Sequence, residues 1–167
     1  SNFDTSKVNN MGNMFCDCKS LTSLDLSNFD TDIVADMGYM FYMCSSLTSL
    51  DLSSFNTSKV NNMTYMFQDC TSLTSLDLSN FDTNIVTNMN SMFNNCYSLT
   101  SLDLSSFNTS QVTSMSYMFS GCSQINDVIV KTVLSNNVEQ IHEGAFANCT
   151  KIGNVVVPSS VKFSMTM

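Results

Sequence analysis

Residues 55–80 read FNTSKVNNMTYMFQDCTSLTSLDLSN, and this stretch recurs along the chain with little change. Ser-Leu-Asp-Leu occupies 23–26, 49–52, 75–78 and 101–104, a step of 26 residues. Met-Phe keeps the same step at 14–15, 40–41, 66–67, 92–93 and 118–119. So do Cys18, Cys44, Cys70, Cys96 and Cys122, and Phe3, Phe29, Phe55, Phe81 and Phe107. A weaker alternation of 52 is superimposed: Thr-Ser-Lys-Val-Asn-Asn-Met stands at 5–11 and 57–63, whereas the units between carry Ile33-Val34 and Ile85-Val86.

The last third keeps the period with different residues. Ile125, Val128 and Val130 take the leucine positions, and Val138, Ile141, Phe146 and Cys149 follow with one residue inserted. Ile152, Val155 and Val157 open a further unit, continued by Pro158 and Val161. The organisation expected is therefore five 26-residue repeats over 1–122, the first incomplete, and divergent repeats of the same stack over 123–167, the last truncated. Ser1 matches Ser27 in mid-unit, and the chain reads as an excised portion of a longer one. No basic stretch followed by an apolar core marks a signal peptide, and no apolar run is long enough to cross a bilayer.

A period of 26 lies in the leucine-rich-repeat range and below the helical-pair repeats of 33 residues and more. Leu24-Asp25-Leu26 alternates apolar and polar with period 2, the mark of a half-buried strand. Phe-[Asp/Asn]-Thr supplies a turn through side chains that bond the local backbone. Met14-Phe15 through Cys18 is read as one short helical turn or loop on the opposite side. Each unit sends inward a Phe, a Val, two Met, a second Phe, the Cys and three Leu, which no single coil can bury. Stacking coils at the strand spacing of about 4.8 Å joins them into one core. Ten of the thirteen methionines fall in the two inward Met positions and read as core filling.

Composition narrows the function. All six basic residues are lysines against fourteen acids, a net charge of −8, which excludes a nucleic-acid binder with its clustered forked donors. The single histidine, His142, reads with Glu143 as a surface loop, and no catalytic constellation, phosphate loop or cofactor site is encoded. Cys18, Cys44, Cys70, Cys96, Cys122 and Cys149 recur at one inward position and read as a structural ladder of free thiols, since parallel Cβ vectors strain a disulfide and do not converge on zinc. Cys16 stands outside the ladder. Asp25, Asp51, Asp77 and Asp103, flanked by Ser23, Ser49, Ser75 and Ser101, form an outward file of carboxylates and hydroxyls. This file is the candidate binding stripe, either as a solvated face or as a dock for a cationic partner. Calcium is the weaker reading, because a flat file offers few converging oxygens. In the divergent units the same position becomes Ile129 and Val156.

These units resemble the BspA-like leucine-rich repeats of bacterial and protist surface proteins. Leu-x-x-Leu-x-Leu, Val-x-x-Met-x-x-Met-Phe-x-x-Cys-x-x-Leu, the segment from Ile141 through Gly144-Ala-Phe and Cys149 to Ile152, and Val157-Pro-Ser-Ser-Val161 carry the resemblance. It implies a β-rich solenoid, a right-handed superhelix with a concave parallel sheet and short helical turns or loops outside. It also implies an extracellular or cell-surface location and a non-enzymatic adhesion role toward a protein or glycan on another cell or matrix. The alternative is a structural spacer or fibre unit that associates end to end through its open edges.

Overall fold

The computed structural model describes residues 3–129, 140–141, 144–152 and 162–163 of the 167-residue chain. Successive units lie on one another in a register of 26. Parallel bridges join Asn10 to Asp36, Asp36 to Asn62, Asn62 to Asn88 and Asn88 to Ser114. Four short strands pair in parallel: β1 (Ser101–Asp103) with β2 (Asp127–Ile129), and β3 (Gln140–Ile141) with β4 (Lys162–Phe163).

Inside the stack, like sits on like. Val34, Met37, Met40, Phe41, Cys44 and Leu47 are fully buried, and so are their counterparts from Val60 to Leu73 and from Val86 to Leu99. The rings of Phe15, Phe41, Phe67, Phe93, Phe119 and Phe146 form one continuous pile with centroids 5.3–5.7 Å apart and planes within 11° of parallel. Burial of these side chains is what holds coil to coil, at about 25 cal/mol per Å² of apolar surface removed from water.

Two walls flank this core, and they do not share the backbone bonding as the sequence suggests. The parallel sheet expected along Ser-Leu-Asp-Leu is formed, among the described residues, only by β1 and β2. In earlier coils the wall is joined by stretched rungs, Thr74 N–H to the Thr48 carbonyl and Thr100 N–H to the Thr74 carbonyl, both 3.3 Å. The rung tightens to 2.9 Å where Asn126 N–H meets the Thr100 carbonyl, beside β1 and β2. There the register sets Asp103 opposite Ile129 rather than another aspartate. Like charges directly opposed disfavour close strand pairing, and the Asp25–Asp51–Asp77 part of the wall carries them.

The continuous ladder runs instead along the Val–Met–Phe–Cys wall. The N–H groups of Met37, Tyr39, Phe41 and Met43 donate to the carbonyls of Asn62, Thr64, Met66 and Gln68 in the next coil, at 2.8–3.1 Å. The alternate N–H groups of Met40, Tyr42 and Cys44 donate within the coil, to Met37, Tyr39 and Phe41. The helical turn expected at this position is thus replaced by a run of three-residue steps. Its physical cause is a left-handed residue every fourth position, Tyr39 and Met43 both at φ 59°. The same two positions are left-handed in the other coils, at Asn13 and Asp17, Tyr65 and Asp69, Ser91 and Asn95, Tyr117 and Gly121. A left-handed residue interrupts the helical bonding pattern and turns its neighbours' N–H groups toward the adjacent coil. Bulky side chains rarely adopt this conformation, at roughly 1–2 kcal/mol each, and the inter-coil bonds offset it.

A second inter-coil device is a column of buried threonines, Thr5, Thr31, Thr57, Thr83 and Thr109. The Thr57 hydroxyl donates to the Asp82 carbonyl at 2.9 Å and accepts from the Asp82 N–H at 2.8 Å. Thr31 does the same with Asn56, and Thr83 with Asn108. One hydroxyl therefore stands in for a strand rung at the corner of the coil. Thr57→Val keeps the shape but strands both backbone groups of residue 82, so it should destabilise the fold by roughly 2–4 kcal/mol. Thr57→Ser should recover most of that loss. Equal denaturant midpoints for the valine and serine variants would count against this role.

Candidate functional site

The aspartate file lies on the outward face of the Ser-Leu-Asp-Leu wall. Asp25, Asp51, Asp77 and Asp103 are exposed, as are Ser23, Ser49, Ser75 and Ser101 beside them, while Leu26, Leu52, Leu78 and Leu104 point into the core. Each carboxylate has a local task. Its Oδ1 accepts the N–H of the serine two residues on, at 3.0 Å from Ser27, 2.9 Å from Ser53, 2.9 Å from Ser79 and 2.8 Å from Ser105. The turn that carries the chain off this wall is closed by that bond.

Hydrogen bonding from the Ser27 and Ser53 side chains, then from their backbone N–H groups, holds Asp25 and Asp51 below the ordinary aspartate range. For Asp77 the Ser79 backbone N–H leads. Neighbouring carboxylates push the other way, Asp25 on Asp51 and Asp51 on Asp77, but rank last among the causes. A depressed carboxyl stabilises the fold above its ordinary value of 3.8 and ceases to do so as pH falls through its lowered value. Stability should therefore drop below about pH 4, and the combined Asp25→Asn/Asp51→Asn/Asp77→Asn variant should show a shallower acid limb in denaturant titrations. Superimposable limbs would refute the assignment.

Between two of these acids the wall carries a shallow depression of about 110 Å³, lined by Leu50, Asp51, Leu52, Ser53, Asp77, Ser79 and Asn80. Among the described residues, no three His, Cys, Asp or Glu side chains are grouped so as to hold a metal ion.

The seven cysteines are free, and all but Cys16 occupy one position in successive coils of the stack. Cys44, Cys70, Cys96 and Cys122 are fully buried, whereas Cys18 and Cys149 at its two ends are half-buried. Each thiol from Cys44 onward donates to the phenylalanine carbonyl of the preceding coil: Cys44 to Phe15, Cys70 to Phe41, Cys96 to Phe67, Cys122 to Phe93 and Cys149 to Phe119, at 3.0–3.2 Å. The position thus selects a small side chain with a donor, a demand the sequence pattern did not reveal. Burial pushes the Cys44 thiol up to about 11 and the Cys122 thiol to about 12, and raises Cys70, Cys96 and Cys149 as well. Cys16 is half-buried, beside the Asp17–Lys19 ion pair of 2.8 Å. His142, Glu143 and Val156 lie outside the described residues, and of Ile129 only the backbone is described.

The other polar files differ from the aspartate file in one respect. Turn closure of the same kind is performed by asparagine at Asn10, Asn56, Asn62, Asn88 and Asn108, whose Oδ1 atoms accept an N–H two residues on at 2.7–3.1 Å. Acids in those files, Asp4, Asp30, Asp36 and Asp82, close the same turn, and Asp36 also accepts the Asn62 amide. Only at 25, 51, 77 and 103 do four successive coils keep the charge.

Coils of one leucine-bearing period, stacked position upon like position, give this chain the fold of a leucine-rich repeat protein. Its fold is similar to that of a leucine-rich repeat protein from Eubacterium ventriosum, with TM-score 0.55 at 22% identity over 80% of this chain and 33% of that one. The T. pallidum leucine-rich repeat protein TpLRR gives TM-score 0.49 at 18% identity over 85% of this chain and 70% of that one. This chain thus spans about a third of the length of the Eubacterium ventriosum protein. Residues 1–76 and 48–157 match the family described as "Mycoplasma protein of unknown function, DUF285", and the chain belongs to that family. No curated protein matches the sequence.

Proposed function

We propose that this chain is a non-enzymatic protein-interaction module of a secreted or surface-anchored protein, and that its aspartate file receives a cationic partner. In this reading 1–122 and 123–167 belong to one curved, right-handed solenoid, the first part offering the acidic face. The observation that carries it is the retention of charge at Asp25, Asp51, Asp77 and Asp103, although asparagine closes equivalent turns elsewhere in the same molecule. A fold that needed only the turn would be free of four stacked like charges, and electrostatic complementarity is what such a face supplies to recognition.

The test uses the whole chain immobilised against a basic oligopeptide such as octalysine, matrix proteins, mucins and neutral glycans. Binding to the cationic probe should weaken with salt and be lost in the Asp25→Asn/Asp51→Asn/Asp77→Asn/Asp103→Asn variant. Asp36→Asn should leave it unchanged. Retained binding by the fourfold variant, or binding to neutral glycans alone, would overturn the reading. The ladder that joins each described coil to the next, from Phe15 N–H to the Met40 carbonyl through Phe119 N–H to the Ala145 carbonyl, also supports a spacer or fibre role. Concentration-dependent filaments in light scattering would favour that role, and a strict monomer would count against it.

A further inference from the structure

We draw no further inference here: the strongest candidate, the pair of exposed rings Tyr97 and Tyr117 on the Val–Met–Phe wall, each lying against a glycine of the following coil (Gly121 and Gly144), carries none, because that packing accounts for both rings and nothing in the structure shows what covers their outer faces.

Discussion

Raising the pH from 8 to 11 under reducing conditions is expected to destabilise this protein, through its buried thiols. In the folded state burial holds the Cys44 and Cys122 thiols up to about 11 and about 12 and raises those of Cys70 and Cys96 as well, so all four are still protonated at pH 9. In the unfolded chain a thiol ionises from its ordinary value of 9.0. Because the folded value is the higher one, the contribution is fully present below pH 9 and is lost as pH rises toward the folded values. Within that window a thiol loses at most about 1.4 kcal/mol per pH unit, and the four act in the same direction. Replacing Cys44, Cys70, Cys96 and Cys122 by serine keeps a donor for the phenylalanine carbonyls and removes the titration. Denaturant midpoints measured from pH 7 to 11 should fall steeply for the natural chain and much less for the serine variant. Parallel curves would show that the thiols do not govern alkaline stability.

The second large effect is expected from the ring pile. Phe67 is fully buried between Phe41 and Phe93, at 5.6 and 5.7 Å with planes 6° and 4° from parallel. Phe67→Ala opens a cavity in mid-stack and should cost about 3–5 kcal/mol, with ring pairing adding to the loss. For a chain of this length that corresponds to a fall in Tm of about 6–20 °C. Each coil touches only its neighbours, so one deletion weakens two interfaces, and the melt should also become less cooperative. Phe15→Ala should cost less, since Phe15 is only half-buried and has one ring, Phe41, stacked on it and Phe29 tilted against it at 6.1 Å. Equal losses for Phe15→Ala and Phe67→Ala, followed by circular dichroism, would contradict stacking as the organising interaction.

From the second coil on, the repeat predicts the burial pattern of the Phe, Val, Met and Leu slots, because an apolar residue returning every 26 places has no partner until another coil lies on it. In the first coil, by contrast, Phe3 and Met14 are exposed. Leu52, Leu78, Val60 and Met63 could therefore be assigned inward directions from the period, while Asp51 and Asp77 faced out. The tyrosines were not legible in this way. Tyr39, Tyr65 and Tyr117 hold a left-handed position also held by Asn13 and Ser91, and no side-chain preference links those three residue types. The thiol donors were hidden for a related reason. A buried cysteine and a small aliphatic residue give the same hydropathy signal, and only the phenylalanine carbonyl of the coil before separates them.

The unit, its period and its apolar side follow from composition and spacing alone. Which wall carries the ladder was decided by the tertiary structure. Strand alternation in Ser-Leu-Asp-Leu pointed to one wall, but aspartates in register oppose close pairing there until Ile129 takes the position. On the other wall, left-handed residues turn alternate N–H groups toward the next coil, a direction that exists only once a second coil supplies the carbonyls.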